Sequence, residues 1–234
     1  MTRIVSLHSY RGGTGKSNLT ANLSATVAMR GKRVGIIDTD IQSPGIHILF
    51  NLDPAKINRS LNDYLWRRCN ISDTAYHMPI PEIGDAGGAV YLIPSSMNAG
   101  EIAKILREGY DVGLLNDGLQ DLGQHLNLDY LFIDTHPGLN EETLLYIAIS
   151  DVFILIIRPD QQDFQGSAVT IEVARKLNVA QLLLVINKAL PAMDFPALKR
   201  SIENTFNATV AGLFPLSEEM LMLGSRGLFA LKYP

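Results

Sequence analysis

The chain holds one cysteine in 234 residues, Cys69, which excludes an intramolecular disulfide and any CxxC metal or iron-sulfur motif supplied by a single copy. A surplus of either charge is also missing. Twenty Lys and Arg stand against 24 Asp and Glu, a formal net charge of −4. That balance argues against a surface devoted to nucleic acid, although a local basic patch escapes the test. No apolar run approaches the ~20 residues that a membrane-spanning helix needs. No repeat or low-complexity linker interrupts the chain. The N-terminal MTRIVSLHSY reads as entering a strand at once, with no charged leader or small-residue cleavage site, and a cytoplasmic setting is expected.

The composition itself, 47% hydrophobic and 19% charged, is that of an ordinary globular protein, read here as one domain over residues 1–234. Strand-like runs are predicted at Arg3 to Ser9, Arg33 to Asp38, Val90 to Pro94, Tyr130 to Asp134, Val152 to Ile157 and Leu182 to Asn187. FILII and LLLVI lack two-residue alternation, as strands covered on both faces do. Helical stretches such as Ser17 to Arg30 and Ser167 to Leu177 lie between them, with Gly31 as the C-cap of the first. The order predicts an α/β fold: a doubly wound, mostly parallel sheet with helices on both faces. Residues 51–88, with Pro54, Pro79, Pro81, the only tryptophan and a Gly-Gly pair, read as an irregular insertion of short helices and loops. Its Leu61, Tyr64, Leu65 and Trp66 are expected to cover the sheet edge.

SYRGGTGKSN at residues 9–18 places a glycine-rich turn between an apolar strand and a helix. A polyphosphate needs several converging N–H donors, and glycines let the backbone of Gly12, Gly13, Thr14, Gly15, Lys16 and Ser17 close around it. Lys16 reaches the β- and γ-phosphates as a point charge, the helix N-terminus adds positive potential, and Ser17 offers a hydroxyl to magnesium. The usual first glycine is replaced by Tyr10, and Arg11 brings a cation directly before the glycine pair. A surface turn capping a helix is the bland alternative, set aside because an apolar strand precedes it. IIDTD puts Asp38 and Asp40 where the chain leaves one strand, and LFIDTHPG puts Asp134 at the end of another. Asp38 and Asp134 are candidate magnesium partners, direct or through water; an Asp at a strand end is often just a turn or N-cap residue, and it is the convergence of three strand ends with a phosphate loop that favours the metal. Asp40, one step further into its loop, is the candidate to position the attacking water. His136, between Thr135 and Pro137, is read as structural or as supporting the site rather than as the base.

Together RGGTGKSN, DTDIQSPG and FIDTHPGL resemble the deviant Walker A ATPases, the ParA/MinD group within the nitrogenase-iron-protein-like P-loop class, from residue 3 to about residue 224. The resemblance implies a phosphate cradle running from Arg11 through Ser17 to Asn18. It makes Lys16 the phosphate lysine, Ser17 a magnesium ligand, Asp40 the water-positioning residue, and Asp38 and Asp134 neighbours of the metal. VINKA implies Asn187 as adenine partner with Lys188 beside the ring, and GLFPLSEEM implies Pro215, Leu216 and Ser217 around the base. IIRPDQQDFQGS resembles a segment at the family's dimer face. Arg11 stands where the family has a signature lysine that crosses to the partner's phosphates; it keeps the charge on a planar fork, for a role in trans or as a solvated loop residue.

The expected function is a Mg2+-dependent, ATP-binding and ATP-hydrolysing switch that forms a nucleotide-dependent homodimer with itself, is stimulated by an activating protein partner, and positions DNA, a division site or protein cargo. Alternatives are an ATP-dependent ligase or synthetase of related fold and a metal-centre insertion ATPase, the latter poorly served by a lone Cys69. The C-terminal GSRGLFALKYP is a weak interfacial helix at best, and Trp66, Arg67 and Arg68, or Lys199 and Arg200, read as solvated surface rather than as a DNA contact.

Overall fold

Blocks of Val, Ile and Leu with no alternation leave water on both sides at once, so they become interior strands of a sheet layered by helices. The computed structural model, which describes residues 1–233, has that arrangement. In chain order the elements are β1 (Arg3–His8), α1 (Lys16–Ala28), β2 (Arg33–Asp38), α2 (Ile46–Leu49), α3 (Leu61–Leu65), β3 (Tyr76–Met78), α4 (Pro81–Asp85) and β4 (Ala89–Ile93). They continue with α5 (Ala99–Glu108), α6 (Val112–His125), β5 (Tyr130–Asp134), α7 (Glu141–Ile149), β6 (Val152–Ile157) and α8 (Gln161–Lys176). The last are β7 (Leu182–Ala189), α9 (Phe195–Phe206), β8 (Thr209–Pro215), α10 (Glu218–Leu223) and α11 (Phe229–Lys232).

The strands form one sheet in the order β3-β4-β2-β5-β1-β6-β7-β8. Only β3 runs antiparallel to its neighbour; the remaining pairs are parallel. The predicted doubly wound α/β sheet is therefore what forms. Because β1 sits between β5 and β6, the crossovers on its two sides part there, opening a crevice at the carboxyl ends of the strands. Register places Leu7 and Asp38 each opposite Asp134, so three strand ends lie side by side at that crevice.

Alternate residues of β2 feed opposite layers. Val34 and Ile36 pack with Ala21, Ala25 and Ala28 of α1, while Ile37 packs with Leu115, Leu119 and Leu122 of α6. The alanines let α1 lie close to the sheet. On the other wing Phe153, Leu155 and Ile157 of β6 meet Ile171 and Ala174 of α8 and Ile202 and Phe206 of α9. A side chain of this kind, fully buried, contributes about 1.5–3 kcal/mol.

Helix α1 stops at Ala28, two residues short of the predicted end. The Gly31 N–H returns to the Ala28 carbonyl at 2.9 Å with Gly31 at φ +76°, so the chain has already turned. In residues 51–88, Leu61, Tyr64 and Leu65 join the core around Ile37 and Ile93, and Lys104 Nζ lies 3.8 Å from the Trp66 ring centroid. In the C-terminal segment Leu228 and Leu231 pack on the α1 side of the sheet, and α11 is only four residues long. Among the described residues no helix is long and apolar enough to cross a membrane.

Candidate nucleotide-binding site

The loop after β1 is shaped by two left-handed glycines, Gly13 at φ +75° and Gly15 at φ +93°. Gly15 is also the N-cap residue of α1. A Cβ on Gly15 would lie 2.5 Å from Asn187 Nδ2, so a side chain there is opposed by both space and backbone. From the opposite side of the loop, Asn187 Nδ2 donates to the Thr14 carbonyl at 2.8 Å and Lys188 Nζ donates to the Gly13 carbonyl at 2.7 Å. Among the described residues, the N–H groups of Gly12, Gly13, Thr14 and Gly15 find no backbone acceptor. The loop thus has its carbonyls held and its amides free, the donor set an anion needs at a helix N-terminus.

Lys16, in the first turn of α1, is 6% exposed. Its Nζ lies 2.9 Å from Asp134 Oδ1 and 3.9 Å from Asp40 Oδ2. Thr20, one turn on, donates its hydroxyl to Asp134 Oδ1 at 3.1 Å, while Asp134 Oδ2 is buried with no hydrogen-bond partner among the described residues. Asp38 is fully buried. Its two oxygens accept from the Asp40 and Gly45 N–H groups, each at 3.1 Å, so it holds the start of the loop that follows β2. Burial, then the neighbouring Asp134 carboxylate, push the Asp38 carboxyl up to about 8, with Lys16 pulling the other way. His8 at the end of β1 shows the reverse effect. Burial first, and then the Lys16 cation, press its imidazole down to about 3, and its Nδ1 meets Thr135 Oγ1 at 2.8 Å.

Three candidate metal-ligating groups sit on the elements that meet at Lys16: the Ser17 hydroxyl, next in α1, the Asp38 carboxyl at the end of β2, and the Asp134 carboxylate, which contacts the Lys16 head. Among the described residues no group of three or more His, Cys, Asp or Glu forms a ready metal site. A hard cation at Ser17, Asp38 and Asp134 would need further oxygens, which phosphates supply. The orphaned Asp134 Oδ2 and the free loop amides fit magnesium arriving with a polyphosphate, so the donor set suits the pair. Cys69 lies away from this cluster, half-buried against the core around Leu61 and Leu65.

Asp40 and His136, 96 positions apart, meet at 2.8 Å between Oδ1 and Nδ1. Arg11 Nη1 donates to Gln162 Oε1 of its own chain at 2.6 Å. The Tyr10 ring lies so close over Gly166 that a Cβ there would overlap it. Tyr10, in place of the general phosphate loop's first glycine, and Arg11, in place of the family's lysine, are thus both seated on α8, and Gln162 and Gly166 were not singled out as site residues in the sequence. The signal was that IIRPDQQDFQGS follows a strand and resembles a segment at the family's dimer face. Asn187 and Lys188, expected at the adenine, contact the phosphate loop in this structure. Pro215 pairs with Ala189, and the Leu216 N–H reaches the Ala189 carbonyl at 2.8 Å, next to Lys188. The Ser217 hydroxyl accepts from Met220 N at 3.0 Å and so caps α10. Asn18 accepts on its carbonyl from Asn22 Nδ2 at 2.8 Å within α1.

A family model described as AAA domain matches residues 2–187. An uncharacterized ATP-binding protein of Methanocaldococcus jannaschii is 27% identical over 234 residues, covering 98% of this chain and 81% of that protein. A chain of the MinC:MinD cell division protein complex of Aquifex aeolicus matches with a TM-score of 0.81 at 17% identity, over 99% of this chain and 88% of that one. The septum site-determining protein MinD of Pyrococcus horikoshii, complexed with Mg-ADP, matches with a TM-score of 0.78 at 21% identity, over 97% and 86%. Fold, phosphate loop and matched family agree: the chain belongs to the AAA domain family as a P-loop ATPase of the ParA/MinD type.

Proposed function

We propose that the chain is a magnesium-dependent switch that binds ATP, pairs face to face with a second copy, and resets when the γ-phosphate is hydrolysed. The observation that carries this reading is buried Lys16 at the N-terminus of α1, held by Asp134 and Asp40 next to loop amides that have no backbone acceptor. A phosphate group replaces a carboxylate as partner of Lys16 and takes up the amides. Ser17, Asp38 and Asp134 are the residues that would hold magnesium, whose contribution is to neutralise charge on the phosphate oxygens. Asp40 positions the water. Asn187, Lys188, Pro215, Leu216 and Ser217 flank the base, at the end of β7 beside the phosphate loop.

The switch has a physical path. Asp38 and Asp40 hold the loop after β2 through the N–H groups of Gly45 and Ser43, at 3.1 and 3.2 Å, so events at the phosphates reach that loop directly. Arg11 serves the partner's phosphates once it leaves Gln162. A protein partner reads the ATP-bound pair, as the MinC:MinD complex of Aquifex aeolicus joins a similar fold to a second protein. The process served is positioning of DNA, a division site or protein cargo.

The test is size-exclusion with light scattering in Mg-ADP and in a non-hydrolysable ATP analogue, alone and with DNA or liposomes, together with phosphate release by the wild type and Lys16→Ala. Expected are a dimer in the analogue alone and phosphate release that requires Lys16. A monomer in every condition overturns the dimer, and release that survives Lys16→Ala overturns the site.

A further inference from the structure

We infer that His136 is a positioning residue for hydrolysis: its Nδ1–H anchors one oxygen of Asp40 so that the other is presented beside Lys16. This rests on the ATPase reading above and assigns a role within it to a side chain that the phosphate-loop chemistry does not itself require.

The argument begins with the four bonding positions around the Asp40 carboxylate. Oδ1 takes the His136 ring at 2.8 Å and the Ser43 N–H at 3.2 Å. Among the described residues Oδ2 has only Lys16 Nζ, at 3.9 Å. One oxygen is therefore spent on holding position, and the other is left on the side of the phosphate lysine. An ionised carboxylate can only accept, so the ring nitrogen facing it must carry the proton. That assigns the Nδ1–H form to His136 from the contact alone.

Asp40 needs such an anchor because of its neighbours. Asp38, Asp134 and Asp40 crowd a single cation, Lys16, and both Asp134 and Asp40 disfavour a charge on Asp38. Its side chain is 12% exposed, on a loop, and shares Lys16 with the nearer Asp134 carboxylate, so little besides that distant cation keeps it from swinging outward. The His136 N–H opposes that swing. The imidazole is itself well fixed, because the turn carrying it is tied to β1. Thr135 Oγ1 donates to the Leu7 carbonyl at 3.0 Å, the Gly138 N–H reaches the Ser9 carbonyl at 3.1 Å, and Thr143 Oγ1 holds the Gly138 carbonyl at 2.9 Å. The anchor thus runs from the strand that carries the phosphate loop, through the turn after β5, to the loop after β2. A water-positioning carboxylate displaced by about 1 Å loses on the order of 10²-fold in rate, which is the scale such an anchor protects.

The experiment compares wild type, His136→Ala, His136→Asn, His136→Gln and Asp40→Ala by phosphate release at saturating Mg-ATP and by affinity for a fluorescent ATP analogue. Thermal melting of each variant confirms folding. Alanine is expected to lower kcat about 10- to 100-fold with nucleotide affinity within about 3-fold, because Asp40 acts on water and not on binding. Asparagine places an N–H near the Nδ1 position and is expected to recover most of the loss, whereas glutamine, which reaches the Nε2 position, is not. An Asn variant as slow as the Ala variant, or an Ala variant as fast as wild type, overturns the inference. Nitrogen-15 spectra of the imidazole supply a readout without turnover: an Nδ1-protonated ring in wild type, shifted in Asp40→Ala. A ring protonated only on Nε2 overturns the contact. No turnover by wild type, or full turnover by Asp40→Ala, is instead a failure of the ATPase reading, and the spectra still test the anchor.

Discussion

Gly15 and Asn187 pack backbone against side chain: a Cβ on Gly15 would lie 2.5 Å from the Asn187 amide nitrogen, which itself donates to the Thr14 carbonyl at 2.8 Å. The phosphate loop thus rests on the end of β7, and its shape depends on a missing methyl group. Gly15→Ala is expected to cost roughly 1–2 kcal/mol from the left-handed backbone at φ +93°, and more from the displaced amide. Nucleotide affinity should fall at least about 10-fold. Adding Asn187→Ala removes the overlap but leaves the strain, so recovery should be partial, measured by titration with a fluorescent nucleotide and by thermal melting. Full recovery would show that backbone strain at Gly15 is unimportant.

Arg11 and Gln162 make a second testable pair. If Arg11 serves a partner copy, its contact with Gln162 at 2.6 Å competes with pairing. Gln162→Ala is then expected to strengthen analogue-dependent dimerisation a few-fold, while Arg11→Ala weakens it by about 10-fold or more, both read by light scattering across protein concentration. An Arg11→Ala protein that dimerises like wild type would end the trans role.

Tyr10 occupies the place of the phosphate loop's usual first glycine, and its ring covers Gly166 of α8. A methyl group at Gly166 must push the ring, and the loop with it. Gly166→Ala is expected to cost about 1–3 kcal/mol by overpacking and to reduce nucleotide affinity, with Tyr10→Ala in the same chain restoring stability but not necessarily affinity. Denaturant midpoints of the two single variants and the double variant check this, and additive losses would argue against the contact.

His8 and Asp38 predict opposite pH slopes for the nucleotide-free protein. His8 has its folded pKa lowered to about 3 from an ordinary 6.5, so below pH 6.5 the unfolded chain takes up the proton first. Stability from this group is then lost at about 1.4 kcal/mol per pH unit as pH falls toward 3. Asp38, raised to about 8, takes up its proton first in the folded state, so it favours folding increasingly as pH falls from 8 toward the ordinary carboxylate range. From these two groups, stability rises by about 1–2 kcal/mol on acidification from pH 8 to 6.5, is nearly flat to about pH 4, and drops below. Urea unfolding against pH, in chelator, should show His8→Gln with a rising profile between pH 6.5 and 4 where wild type is flat.

Much of the sheet was legible in residues 3–187 because six strands are short, mostly apolar runs, the plainest being FILII and LLLVI, whose burial on both faces leaves no other solution. The two missed strands are at the edges, where that signal fails. In β3 only Tyr76, His77 and Met78 pair, and β8 carries Gly212 and ends in Pro215. An edge strand has one neighbour, so its residues need not be apolar throughout. The phosphate loop and the carboxylates after β2 and β5 were equally plain, since local spacing alone puts them at strand ends.

Spacing could not say what those side chains touch. Lys16 against Asp134, Asp40 against His136, Arg11 against Gln162 and Tyr10 against Gly166 join residues about 90 to 160 positions apart; the Asp40 pair exists because β2 lies beside β5, and the other three because β1 lies between β5 and β6. The amino-acid sequence by itself determined the sheet's layered core and the chemistry on offer at its strand ends, because burial and glycine geometry are local properties. Which carboxylate pairs most closely with Lys16 and which one meets His136 were decided only by the tertiary structure, because strand order and register, and not distance along the chain, set which groups come within reach of a hydrogen bond.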